Sequence, residues 1–426
     1  MKTLADWLLH LETAHPRPIE LGLDRVEKVR AALGLSFNVP VITVGGTNGK
    51  GSVCAFLEAI LREAGYRVGL YTSPHIVRYN ERVRIDGVEA SDEALVAAFE
   101  RVEAARGTTS LTYFEMGTLA AACAFADAAL DVVILEVGLG GRLDAVNVFE
   151  PDCAVVVTVD LDHMEYLGPT REQIGREKAG IFRPGKPAIY GEDDPPRSVI
   201  DHAVDIGARL LSFGEDFGAK RTPQQWKYWG PRGERSGLPH PALRGAHQVA
   251  NAAVALAALD ELKDRLHVHM QAVRTGLLMA APRARFQVMP GRPAVVFDVS
   301  HNPHAARALA ANLRAHVKFK RTLAVFSMLV DKDVAGVVDE VKSQIAAWYV
   351  SGLDGARGTA VEALAEKVRS RDPATLVLGF ESLLAAYAAA RQAADEDDRI
   401  IVFGSFHTVC DVLQAHEAAT RSTSTR

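Results

Sequence analysis

Short apolar runs, most of them β-branched, alternate along this chain with alanine- and leucine-rich stretches of helical period. The runs at 39–44, 132–137, 154–159, 294–299, 322–326, 347–350 and 400–403 are apolar at successive rather than alternate positions, and 67–70 reads as another short strand. Strands of that kind are covered on both faces, as in a parallel sheet flanked by helices. Helical patterns at 53–61, 91–105, 117–128, 248–262 and 305–315 fall between them. Thr170-Arg-Glu-Gln173 has the form of a capping box opening one more helix, ending at Gly180. The pattern predicts an α/β fold built on mostly parallel sheet.

The alternation weakens twice. From Glu192 to Pro241 the chain is rich in Pro, Gly, Trp and charge, which predicts irregular structure or a small antiparallel extension of the first domain. Ala280–Pro293 carries three prolines before a fresh strand and is the best position for a domain boundary. At 426 residues the chain is too long for one core, so two domains are expected, 1–282 and 283–426.

Composition narrows the class. Hydrophobic residues make up 48% and charged residues 24%, as in an ordinary soluble globular protein. A net charge of −5 gives no electrostatic reason to expect a nucleic-acid partner. Cys54, Cys123, Cys153 and Cys410 are scattered without metal spacing, as in a reducing cytoplasm. Asp6, His10 and Glu12 interrupt any signal-like apolar segment, and no apolar run reaches membrane-spanning length. A cytoplasmic monomer without membrane or nucleic-acid partners is expected.

Candidate chemistry begins at Val41–Ser52, VITVGGTNGKGS. A strand feeds a glycine loop around Lys50, and a helix follows. Glycines let backbone N–H groups converge on phosphate oxygens, and a helix N-terminus adds partial positive charge. The spacing is not the usual G-x-x-x-x-G-K-[ST]: Gly45 and Gly49 stand one residue closer, and Gly51 separates Lys50 from Ser52. The alternative is a plain glycine turn, which seldom carries Gly-Lys flanked by further glycines. Glu136 ends the strand at 132–137, where ligands bind in open α/β sheets, and is placed to hold Mg²⁺. His163 follows the strand at 154–159 in Asp160-Leu-Asp-His163, delivering a second polar group to the same crevice. Ser73 in Tyr71-Thr-Ser-Pro-His75 is either a turn residue or the hydroxyl that a phosphate loop usually supplies to its metal. Locally, Lys178 reads as a cation at a helix C-terminus. Asp298 and His301 again occupy a strand-end loop, with Arg285 in the preceding linker. The two readings are closure over a nucleotide and a loop that only lets Asn302 cap the next helix.

In their order these motifs resemble the folylpolyglutamate synthase family of the Mur ligase superfamily. The resemblance rests on Gly46-Thr-Asn-Gly-Lys-Gly-Ser52, Tyr71–His75, Asn80-Glu-Arg-Val83, Glu136-Val-Gly-Leu-Gly-Gly-Arg-Leu-Asp144, Leu161-Asp-His163 and Glu177-Lys-Ala-Gly-Ile181. It continues through His247-Gln-Val-Ala-Asn251, Asp298 with His301-Asn-Pro303, and Asp331-Lys-Asp333. Thr112-Tyr-Phe-Glu115 and Gly404-Ser-Phe-His-Thr408 look like the bacterial members that carry two activities. The resemblance implies a P-loop domain, a Rossmann-like C-terminal domain and ATP in the cleft between them. It places Thr47, Asn48, Gly49, Lys50, Gly51, Ser52, Asn251, Arg285 and Asp298 on ATP, with Lys50, Lys178 and His301 in catalysis. It places Ser73, Glu136, His163 and Lys178 on magnesium, in two ions, Lys178 as a carbamate that turns the cation into a metal-binding anion. The pterin side it implies includes Ile19, Glu20, Leu21, Thr112, Phe114, Arg142, Asp144 and Ala145. Two departures stand out: Arg283-Ala-Arg285 replaces the family's Pro-Gly-Arg, and Val299 replaces a glycine after Asp298.

The expected activity is ATP-dependent addition of L-glutamate to dihydropteroate and to reduced folates through an acyl phosphate. The alternatives are chain extension of folates alone, or a Mur-type ligase acting on a muramoyl substrate.

Overall fold

The structure, a computed structural model, describes residues 2–17, 19–315, 318–355 and 357–424. It divides into two compact units, Met1–Ala242 with Gln248–Ala281, and Leu243–His247 with Pro282–Arg426.

The first unit is built on eight strands: β1 (Val41–Gly45), β2 (Val68–Tyr71), β3 (Val83–Ile85), β4 (Val88–Glu89), β5 (Val132–Glu136), β6 (Cys153–Val156), β7 (Pro187–Tyr190) and β8 (Arg209–Ser212). Their order is β4-β3-β2-β5-β1-β6-β7-β8. Only the β2–β3 and β3–β4 pairs are antiparallel. β1 lies between β5 and β6, with Thr43 opposite Leu135 on one side and Ala154 on the other. Every residue of β1, β5 and β6 is buried, which is why their sequence runs are apolar without alternation. Because the three are parallel, the loops that leave them open at one edge of the sheet. The Lys50–Glu63 helix is held so closely by the Met270–Met279 helix that a Cβ on Gly276 would lie 2.6 Å from Ile60 Cα.

The segment 192–241 holds more regular structure than its composition suggests. The Arg197–Ile206 helix buries only Val199 and Ala203 behind Pro195-Pro196, too thin a stripe to read. β8 then extends the main sheet in parallel. Only β9 (Gly218–Arg221), β10 (Trp226–Gly230) and β11 (Gly233–Leu238) form the expected antiparallel sheet.

The second unit has six strands, β12 (Gln287–Met289), β13 (Ala294–Phe297), β14 (Thr322–Phe326), β15 (Ala347–Ser351), β16 (Leu376–Phe380) and β17 (Arg399–Phe403). Their order is β12-β13-β17-β14-β15-β16, parallel except for β12. Phe326, Trp348 and Phe403 pack edge-on or tilted against one another at its centre, with ring centroids 4.9 to 6.3 Å apart. Both units are therefore mixed α/β with mostly parallel sheet. Among the described residues no helix is long and apolar enough to cross a membrane.

Candidate active site

β1 hands over to the Lys50–Glu63 helix through a loop with two left-handed or extended glycines, Gly46 at φ 142° and Gly49 at φ 84°. A Cβ on Gly46 would sit 3.1 Å from the backbone nitrogens of Val157 and Thr158. One on Gly49 would meet Val157 at 2.7 Å and Asn251 Oδ1 at 2.9 Å. The glycines therefore let the loop nest against the segment after β6 as well as turn. Thr47 N–H donates to Thr158 O (2.8 Å) and Thr47 Oγ1 to Asp160 O (3.1 Å), while Asn48 N–H donates to Thr158 Oγ1 (2.8 Å). Lys50 Nζ donates back to Gly46 O (2.9 Å). Ser52 is buried in the helix. Asn251, on the Ala246–Glu261 helix, is held by Gln248 Oε1 (3.0 Å) with its own oxygen toward Gly49.

Glu136 closes β5 as a buried carboxylate whose Oε2 accepts the Ser73 N–H (3.1 Å). His163 has a left-handed backbone, φ 50°, unusual for a residue with a Cβ and most often found at functional loops. Lys178 lies in the last turn of the Arg171–Ala179 helix, which Thr170 and Gln173 cap reciprocally. It is buried, and no residue among those described hydrogen-bonds its amine. Burial first, then the neighbouring Lys50, pull its pKa down to about 7, against Asp162 and Asp144. Lys50, Lys178, Asp144 and Asp162 thus share one electrostatic neighbourhood at the ends of β1, β5 and β6. Asp162 had no expected role of its own, only a place in the Leu161-Asp-His163 motif.

The residues expected on the pterin side are knitted together. Glu20 Oε1 accepts from Arg25 (2.5 Å), and the same guanidinium reaches Glu115 Oε1 (2.9 Å). Glu115 and Thr112 form a capping box at the start of the Tyr113–Ala126 helix, four residues before the apolar pattern becomes helical. Gly22 N–H donates to Leu143 O (3.4 Å), joining the segment of Ile19, Glu20 and Leu21 to the loop of Arg142. The Phe114 ring lies over Gly138, where a Cβ would meet it at 2.7 Å. Asp144 turns inward: its oxygens accept from Leu139 N–H (2.8 Å) and Val146 N–H (3.0 Å), and burial lifts its pKa to about 6. Ala145 is buried beside it. Arg25 carried no motif signal, since its role depends on two carboxylates far apart in sequence.

In the second unit, Asp298 Oδ2 accepts Phe286 N–H (2.8 Å) and Oδ1 accepts Ser300 N–H (2.9 Å), so it braces the Arg285 segment. His301 Nδ1 bonds Val299 O (2.8 Å), and Asn302 caps the Pro303–Ala315 helix through Ala305 N–H (2.9 Å). The His301 ring and the Arg285 guanidinium both rest against Phe406, at 5.9 and 5.6 Å. Arg283 instead approaches Glu417 at 4.0 Å.

The chain matches the Mur ligase middle domain over residues 44–259 and the Mur ligase glutamate ligase domain over residues 284–406. It is 47% identical to the dihydrofolate synthase/folylpolyglutamate synthase of Escherichia coli (strain K12), over 97% of this chain and 96% of that protein. The Haemophilus influenzae counterpart is 40% identical over 96% of each. Among solved structures, E. coli FolC in complex with DHPP and ADP superposes with a TM-score of 0.94 at 47% identity, covering 98% and 99% of the two chains. A bifunctional folylpolyglutamate synthase/dihydrofolate synthase with Mn, AMPPNP and L-glutamate bound gives 0.91 at 44% identity, covering 98% of each. The chain belongs to the Mur ligases and, within them, to the dihydrofolate synthase/folylpolyglutamate synthase family. It is an ATP-dependent ligase.

Proposed function

We propose that this chain joins L-glutamate to dihydropteroate, forming dihydrofolate, and to reduced folates, lengthening their glutamate tails. The single observation that carries the reading is a buried Lys178 beside the Lys50 loop, its amine without a hydrogen bond to a described residue, in a chain with these relatives. An amine close to half neutral at pH 7 can add CO₂ and become a carbamate.

The residues fit a divalent metal. Among the described residues no three His, Cys, Asp or Glu side chains form a ready site. The donors implied by the family resemblance, the Ser73 hydroxyl and a Lys178 carbamate beside Glu136 and His163, would make a hard, oxygen-rich set suited to Mg²⁺ or Mn²⁺. The metal supplies charge neutralisation at the phosphates. Lys50 leaves the Gly46 carbonyl to hold the β/γ-phosphates, with the N–H groups of Gly49, Gly51 and Ser52 around them. Thr47 and Asn48 keep the loop in shape, and Asn251, Arg285 and Asp298 add nucleotide contacts. The acceptor carboxylate attacks the γ-phosphoryl group, ADP leaves, and an acyl phosphate remains. The amine of glutamate, with His301 assisting, then displaces phosphate and forms the amide. Catalysis at the first step is positioning and charge neutralisation.

Thr112, Phe114 and Arg142 would line the pterin side with Ile19, Glu20 and Leu21, while Asp144 and Ala145 shape it from within. The enzyme is read as a cytoplasmic monomer. The deciding experiment is glutamate-dependent ADP release from Mg·ATP with dihydropteroate, tetrahydrofolate or a UDP-muramoyl peptide as acceptor. Turnover with both pterin acceptors is expected. Tetrahydrofolate alone would reduce the activity to chain extension, and the muramoyl compound alone would move the chemistry to another substrate.

A further inference from the structure

The loop that carries Arg142 and the helix end that carries Lys178 are built as one piece. Arg142 N–H donates to Glu177 O (2.8 Å). Asn147, itself buried, donates to both Arg142 O (3.0 Å) and Gly180 O (3.1 Å). A Cβ on Gly141 would lie 2.8 Å from Lys178 O, and one on Gly180 would lie 2.3 Å from Arg142 Cβ. Only glycines allow the two backbones this approach. On that floor the half-exposed Arg142 side chain stands with one edge taken: Nε and one terminal nitrogen donate to Glu177 Oε1, at 3.1 and 2.8 Å. The other terminal nitrogen has no partner among the described residues.

A free arginine on the surface samples many rotamers, and fixing one costs binding energy at the moment a ligand arrives. Here the cost is met in the fold, and a guanidinium with one edge held presents the other in a fixed plane to a carbonyl or carboxylate. We propose that Glu177 is a positioning residue that fixes Arg142 in the plane where its free edge meets the acceptor substrate. Glu177 touches no reacting atom in this scheme; it acts through Arg142. The inference rests on the ligase reading above and on Arg142 facing the acceptor.

The test is steady-state kinetics of full-length Glu177→Ala and Glu177→Gln with dihydropteroate and tetrahydrofolate, together with Arg142→Ala and the Arg142→Ala/Glu177→Ala double variant. Glu177→Ala should raise the acceptor KM about tenfold, the size of one lost charge-assisted hydrogen bond. The kcat and the ATP KM should stay within about twofold, since binding and not the chemical step is affected. Glu177→Gln, which keeps an oxygen acceptor and the packing, should fall between. In the Arg142→Ala background the Glu177 substitution should add nothing to the acceptor KM. An unchanged acceptor KM in a folded variant would overturn the proposal. So would a rise that persists without Arg142, or a parallel fall of all three parameters. Absence of wild-type turnover with both pterin acceptors would instead remove the proposed pterin substrates, and the inference with them.

Discussion

Two cations are buried to nearly the same depth in this chain, one in each unit, and their surroundings differ. Arg399, 4% exposed on β17, donates to Thr322 Oγ1 (2.8 Å) and to Leu313 O (2.7 Å), and lies 5.4 Å from the Phe319 ring. Lys178, 5% exposed, makes no hydrogen bond to a described residue and faces another cation, Lys50. Desolvating a charge without partners is expensive, so a fold that tolerates it carries a group whose charge will be altered or used. Arg399 stays a cation and ties strands to a helix end. Lys178 is poised to lose its charge. The difference separates a structural burial from a functional one, and each side of it can be broken.

The largest effect is expected at Lys178. Lys178→Ala should lower glutamate-dependent turnover by about a hundredfold or more, the scale seen when one group at a developing charge is removed, while the melting temperature is kept or raised. A soluble variant with near wild-type turnover would place Lys178 with Arg399 as a structural cation. Next is Glu136→Gln, which should raise the Mg²⁺ concentration for half-maximal activity by about ten- to a hundredfold. An unchanged metal dependence would take Glu136 out of the site. Third is Arg399→Met, whose effect should be on stability alone. Losing its hydrogen bonds and leaving Leu313 O unsatisfied should cost about 2 kcal/mol in denaturant unfolding, with kcat of the folded fraction unchanged.

The contrast also marks what a reader of the sequence can and cannot see. The apolar runs of β1, β5, β13, β14 and β17 announce a parallel sheet because burial on both faces removes all polar alternation. The edge strand β16 stayed hidden because Leu376 and Leu378 are exposed and Gly379 interrupts it. β12 was lost in the proline-rich stretch. The strand, glycine loop and helix around Lys50 and the strand-end position of Glu136 were legible because their pattern is local: a strand end, glycines, a lysine. Lys178 was not legible locally: from its own neighbourhood it is a good helix C-terminal cation, and it does occupy that position; only the family resemblance, and in the structure its burial beside Lys50, point elsewhere. Asp144 does more than a motif reading shows, since its oxygens accept from Leu139 and Val146 and so also hold its own loop in shape. Arg25 and Glu177 matter through partners 90 and 35 positions away, which no local pattern records.

The last test is the sharpest of the comparison, because it reads the charge of Lys178 directly. Its pKa is about 7 in the fold and about 10.4 in an unfolded chain. Between those values the unfolded state binds more protons than the folded one, so stability rises with pH across that window. Below pH 7 both states carry the proton and the full penalty of burying the cation is present. In CO₂-free buffer, Lys178→Met should therefore exceed wild type in stability most below pH 7, by up to about 5 kcal/mol. The gap should narrow steadily as pH rises toward 10. Bicarbonate should narrow it further near neutrality by converting the neutral amine of the wild type, and only the wild type, to a carbamate. For Arg399, whose pKa burial lowers only to about 10, Arg399→Met should shift stability equally at pH 6 and pH 8. A gap at Lys178 independent of pH would mean that its amine finds a partner in solution, and that the two buried cations are of one kind.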